Sequence, residues 1–345
     1  MGFLSRLGRT NDRATVQDRQ RVSETVERVM KLHPQLRLAR HYEKRLAPAV
    51  ATSLKYMREL VDSVPAPREA SSAAWVGDPY IHAYFVAPDD VASVISRSVE
   101  LRAYFDRNAD VPEAYGVLGM ELTERHILGV AQEGETLRRD VPQTTVNFSD
   151  HQVRMCGRTD AELRDEIVQR LLEQLALEGL ARTAADKSRR DALERERALL
   201  KTRLQLLERQ GTGIRALLGS DATADLGELA RLETEVEENE RNLADLGLRE
   251  DALDRALEHV CAVFAQPGAH LYLSTRRLRL DRMNVVLDAH SKQAGDDVEF
   301  QIARLPTTPP RVRAFSLVRF ARADMLAAKR MFDEAKQLLS SGLWS

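Results

Sequence analysis

The sequence is poor in the residues that announce chemistry or export. It has two cysteines, Cys156 and Cys261, far apart in the chain. Two isolated thiols exclude a disulfide framework and suit a reducing compartment, so the cytoplasm is the expected location. Arginine outnumbers lysine 43 to 8, which fits the base composition of a bacterial genome better than a dedicated function. Aromatic residues are 5%, too few for a chain built throughout like a dense enzyme core. No apolar run approaches the roughly 18–20 residues that cross a bilayer. The opening MGFLSRLGR has no secretory apolar core, and Arg6 stands where myristoylation needs Ser or Thr. A frayed start is expected there, with a short surface-seeking turn as the alternative. Net charge is −2, so the whole molecule is not a generic polyanion binder.

Metal and catalytic patterns are also missing. The eight histidines do not cluster, and there is no HExxH, HxH or CxxC. His259 and Cys261 are two apart on an expected helix and face different ways. Ser149, Asp150 and His151 supply the three residue types of a hydrolase triad. Neighbours in a strand point to opposite faces, however, and no GxSxG elbow is present. We therefore expect no catalytic residue, no metal and no cofactor from these motifs.

What the chain has in abundance is charge, 30%, and leucine-rich periodicity. Residues 1–62 read as helices: Val22, Val26, Val29 and Met30 fall at helical spacing, Pro34 breaks the run, and Pro48 marks a second break or start. Residues 63–79, rich in Pro, Ala and Ser, read as a linker or ordered loop. Seven of the 18 aromatics then fall between Trp75 and Tyr115. Residues 80–158 read as the first half of an α+β head. The stretch from Pro88 to Arg107 is expected as one helix, and the period-two pattern of Leu118, Met120 and Leu122 opens a series of strands. His82 and Tyr84 are the polar members of a candidate aromatic-lined pocket; core packing is the simpler reading of that block.

Residues 159–265 read as an antiparallel coiled-coil hairpin. Thr159 and Glu162 form a capping-box pattern at its start. Leu193, Leu200 and Leu207 are seven apart in the first arm, with Ala192, Leu199 and Leu206 beside them. In the second arm Leu229, Leu232, Val236, Asn239, Leu243, Leu246, Glu250, Leu253, Leu257, Val260 and Phe264 alternate spacings of three and four. Leu180–Arg215 carries ten basic and five acidic residues, and Asp221–Glu258 four basic and thirteen acidic, so opposite charges flank the pairing. The glycine-bearing stretch between the arms, residues 211–225, is the expected turn. A phosphate-binding loop needs Lys then Ser/Thr after its last glycine, whereas Ser220 and Asp221 follow Gly219.

Residues 266–345 return to strands and a final helix from about Ala323 to Ser340, read as the second half of the head. Arg277 and Arg279 share one strand face, as do Arg311, Arg313 and Arg319. If the faces coincide they form a candidate basic surface. The fold expected is α+β: a mixed or antiparallel sheet head, N-terminal helices and a long inserted helical hairpin. The leading functional expectation is a non-enzymatic scaffold that binds a protein partner, or itself, through the coiled-coil arm. The alternatives are nucleic-acid or anionic-surface binding through the C-terminal arginines, and an enzyme with a pocket in the head.

Overall fold

The computed structural model describes residues 4–133, 136–214, 222–247, 251–288, 291, 293–305 and 311–327. The fold is α+β. The chain divides into two units: a helical one from residues 1–53 and 173–266, and a sheet-containing one from residues 54–172 and 267–345.

In the sheet unit, five strands run in the order β3-β2-β6-β5-β4 and a short β1 pairs with β6. Their ranges are β1 Arg68–Glu69, β2 Glu113–Glu133, β3 Thr136–Gly157, β4 Tyr272–Leu280, β5 Asp296–Leu305 and β6 Arg311–Ala321. β1 is parallel to β6 and the other pairings are antiparallel. Strands from both sides of the helical insertion thus share one sheet, joined where Leu118 opposes Ser316 on β2 and β6. The sheet curls until β3 meets the chain beyond β4: the Val146 amide donates to the Asn284 carbonyl at 2.9 Å, and the Val286 amide to that of Thr144 at 2.8 Å. This contact covers part of each edge, around Thr144–Val146 on β3 and Arg279–Leu280 on β4, and there occupies backbone groups that would otherwise recruit another strand.

Four short helices pack on one face of the sheet: α3 Ser72–Gly77, α4 Pro79–Tyr84, α5 Pro88–Ser96 and α6 Val99–Arg107. Local chemistry starts three of them. Ser71 accepts the Ala74 amide, Asp78 accepts those of Tyr80 and Ile81, and Ser98 accepts that of Leu101. The Ser98 cap explains why the expected single helix from Pro88 to Arg107 is two. Residues 63–79 contain β1 and α3. The core between helices and sheet is aromatic: Phe300 lies 4.9 Å from Phe148, 5.9 Å from Tyr84 and 6.1 Å from Tyr80, ring centre to ring centre. Each such ring contributes roughly 1.5–3 kcal/mol through burial. On the opposite face, Leu317 packs with Val64 and Leu163.

The remaining helices are α1 Leu4–Leu32, α2 Tyr42–Asp62, α7 Asp160–Ile214, α8 Ala222–Asp245 and α9 Ala252–Ala265. A 3-10 turn at Pro34–Leu38 separates α1 from α2. α2 runs through Pro48 without a break. One lost backbone bond is outweighed by the buried face of Leu46, Val50, Leu54 and Met57. α7 starts on its expected cap: Thr159 Oγ1 accepts the Glu162 amide at 3.2 Å. Glu162 reaches back one residue further than a capping box requires, to the Arg158 amide at 2.9 Å.

Two expectations for the hairpin need revision. Helix continues through Gly211 and Gly213 to Ile214, and α8 has begun by Ala222, which narrows the connection. The second arm is also not one rod. α8 ends at Asp245, Gly247 takes φ +74°, and α9 starts at Ala252. The 3-4 spacing crosses this break unchanged, so spacing alone concealed it. Glu250, the Arg311 side chain and the expected helix after Ala323 from residue 328 onward lie outside the described residues.

Candidate protein-interaction surface

α7 pairs with α8 and α9 in the antiparallel sense. Along the pair, Arg203 meets Glu228 at 2.6 Å, Lys201 meets Glu240 at 2.7 Å, and Asn239 Nδ2 donates to Glu196 at 3.0 Å. Further along, Arg190 donates to the carbonyls of Leu246 and Gly247 at 2.8 and 2.6 Å, and His259 meets Asp186 at 2.7 Å. As α7 numbers fall, partner numbers rise, apart from local offsets. Gly179 allows a close approach: a Cβ there would stand 2.8 Å from Val260 Cα.

The seam residues divide by depth. Leu232, Asn239, Leu243, Leu257, Val260 and Phe264 are buried, whereas Leu229, Val236, Leu246 and Leu253 are half-buried. Leu193, Leu200, Leu204 and Leu207 of α7 are half-buried as well. Asn239 is the one polar seam side chain at full depth among the described residues; its Nδ2 is bonded, and its Oδ1 is buried without a partner. Leaving a buried acceptor unmet costs about 1–3 kcal/mol, a cost that fixes register when an apolar residue would have been cheaper.

Sequence reading missed the joint between α8 and α9. Arg190 holds two carbonyls at the end of α8, where the helix leaves acceptors unmet. The signal was the glycine of ADLGLRE, a residue suited to the left-handed conformation that ends helices. The pair also leaves an apolar stripe uncovered. Leu199 is 72% exposed and Leu206 52% exposed, one heptad apart on α7 and outside the intramolecular seam.

The candidate arginine surface has a different character. Register places Arg277, Arg279, Arg313 and Arg319 on one sheet face, as the conditional reading required. Yet Arg277 pairs with Glu299 at 2.6 Å, Arg313 with Asp150 at 2.7 Å, and Arg319 with Glu69 at 2.9 Å. Arg279 donates to the carbonyls of Ser291 and Gln293. The guanidinium charges on this face are matched by carboxylates or spent on carbonyls.

His82 and Tyr84 do not share a pocket. His82 lines a cleft of about 420 Å³ with Trp75, Asp78, Asp281 and Arg282. Its ring lies 4.3 Å from that of Trp75, and its nitrogens meet the carbonyls of Trp75 and Arg282 at 3.3 and 3.0 Å. Tyr84 is buried in the aromatic core, where desolvation raises its phenol pKa. Ser149, Asp150 and His151 are likewise dispersed in role. Asp150 holds Arg313, which keeps its carboxyl below the usual range. His151 stacks on Phe85 at 5.0 Å and its Nε2 donates to the Tyr84 carbonyl at 2.8 Å. Cys156 and Cys261 are unbridged, and burial pushes the Cys156 thiol up to about 12. Among the described residues, no group of three or more His, Cys, Asp or Glu is arranged to hold a metal ion, and no helix is long and apolar enough to cross a membrane.

No protein-family model matches the chain, and neither the curated proteins nor the solved structures contain a match to it.

Proposed function

We propose that this is a cytoplasmic interaction protein that docks a protein partner through the α7–α8 helical pair. One observation carries the reading. Leu199 and Leu206 stand exposed at heptad spacing on a helix whose other heptad face is already occupied. Exposed leucines scattered singly need no explanation, but leucines in register along a paired helix form a docking stripe. The charge division of the arms supplies selectivity around it, since unlike charges steer encounter and like charges reject wrong partners.

The test is capture by the full-length chain, compared with Leu199→Glu/Leu206→Glu, with nuclease treatment in parallel. Both positions face solvent, so the substitutions leave the intramolecular seam untouched. The reading expects a specific partner, or a second copy, to be retained by the wild type and lost by the variant, with no effect of nuclease. Equal retention by both chains contradicts it. Loss on nuclease treatment transfers the function to nucleic acid.

A further inference from the structure

The sheet unit holds a groove of about 500 Å³ beside the end of β3. Its floor is Met155 and Cys156. A bulge in the β2–β3 pairing leaves Met155 at φ +54°. Met155 packs toward Leu163 and Leu317 on one side of the sheet, and Cys156 toward the aromatic core on the other. α6 supplies one wall and the start of α7 the other. Glu100, Tyr104 and Arg107 fall at i, i+4 and i+7 on α6 and so share a face; Glu162, Glu166 and Gln169 do the same on α7. Both walls are tied to the strand. Ser98 Oγ donates to the Val153 carbonyl at 3.0 Å, and the Glu100 carboxylate accepts the Met155 amide at 3.0 Å. On the other side, Gly157 lets the backbone of Leu163 approach so closely that a Cβ would stand 2.9 Å from its nitrogen.

Some charged groups of the groove are already engaged. Glu100 pairs with Arg154 at 2.6 Å, and Glu166 with Arg170 at 2.8 Å. Others are not. Tyr104 is 8% exposed, and its phenol oxygen is buried with no hydrogen-bond partner. Desolvation raises the pKa of that phenol, so it keeps a proton to donate. An unmet buried hydroxyl opposes folding and calls for an explanation. Arg107 donates from Nε to the Ala103 carbonyl at 2.9 Å and meets no carboxylate among the described residues. Glu162 accepts the Arg158 amide through one oxygen; its other oxygen and the Gln169 side chain have no partner among the described residues. Asp165 adds a carboxylate on the α7 side.

We propose that this groove binds a small zwitterion, a free amino acid in class, with its carboxylate on Arg107 and Tyr104 and its ammonium on Glu162 and Gln169. A purely anionic ligand would face Glu162 and Asp165, and a purely cationic one would face Arg107. A zwitterion answers both signs with charge-assisted hydrogen bonds and gives the orphan hydroxyl an acceptor. The volume lies within the range of small-molecule sites. The sulfurs of Met155 and Cys156 offer a neutral, polarisable floor for the ligand's side chain, since burial keeps the Cys156 thiol protonated.

Isothermal titration of the full-length chain with the common free amino acids, carried to millimolar concentration, tests this. For the tightest binder, the α-amide and the N-acetyl derivative each lack one charge and should bind roughly tenfold more weakly or worse. Arg107→Gln should abolish the preference over the amide, and Glu162→Gln the preference over the N-acetyl derivative. A merely structural role for either residue would lower all three affinities together. Tyr104→Phe should weaken the free amino acid about fivefold while melting no lower than the wild type, because it removes an unpaired hydroxyl. Arg107 and Glu162 are exposed, so their variants keep the proposal testable should Tyr104→Phe fold poorly. Failure of every amino acid to bind overturns the proposal, as does binding of the amide and the N-acetyl form as tight as that of the parent. Either failure leaves the docking role of the helical pair standing, because that role does not involve this groove.

Discussion

The sheet unit and the helical unit solve the same problem of specificity by different contacts. In the sheet unit, aromatic rings from α3, α4 and α6, with Val91 and Ile95 of α5, interlock with Phe148, Phe300 and Phe320, and burial carries the stability. In the helical unit the apolar seam is one layer of side chains, aliphatic apart from Phe264. Its order is set by polar insertions: Glu196 on Asn239, Arg190 on the joint, Asp186 on His259. A core specified by volume tolerates little truncation. A seam specified by polar partners tolerates truncation better but loses its register when a partner changes.

The largest expected effect breaks the sheet side of this contrast. Phe300→Ala removes a ring that touches three others and should cost about 3–5 kcal/mol, read as a fall in the denaturant midpoint. Next, Gly179→Ala should destabilise the helical unit by about 1–3 kcal/mol, although alanine favours a helix by roughly 1 kcal/mol, because the new methyl strikes the Val260 backbone. The check is thermal unfolding followed by helical circular dichroism. Asn239→Leu sharpens the contrast by running the other way. It should raise the melting temperature by a few degrees while leaving Glu196 without its partner and loosening register; a disulfide-trapping scan between the arms would report the added registers.

The smallest expected effect concerns pH. Burial holds the His151 pKa below its ordinary value. Between the folded and unfolded values only the unfolded chain binds the proton, so stability present above about pH 6.5 declines as pH falls below it. His151→Gln should flatten that decline, as measured by urea midpoints on either side of about pH 6.5.

Much of this organisation was readable from residue spacing. The alternation of Leu118, Met120 and Leu122, the Thr159 cap and the buried ends of the second-arm seam, Leu257 through Phe264, all follow from local rules acting where packing agrees with them. What spacing could not convey was distance in three dimensions. A 3-4 pattern is indifferent to a helix break, so Gly247 and its Arg190 clamp stayed hidden. The period-two arginines left open whether the faces of the separate strands coincide, and gave no sign that Asp150 and Glu69, remote in sequence, would meet Arg313 and Arg319 there. Tyr84 and His82 sit on one short helix and still part company, one into the core and one into a cleft. The abundance of arginine also gains a structural reading. Arg164, Arg190 and Arg322 each hold carbonyls near helix ends, those of Val61 and Val64, of Leu246 and Gly247, and of Phe105 and Asn108. Such clamps depend on tertiary approach and leave no mark in a linear pattern.

Hydrogen exchange of the full-length chain, free and in its associated state, tests the central claim most directly. The account predicts added protection in residues 195–207 of α7 and 228–241 of α8, with residues 113–120 and 311–321 of the sheet unchanged. Added protection confined to the sheet face bearing Arg277, Arg313 and Arg319, with the helical pair unaffected, would contradict it.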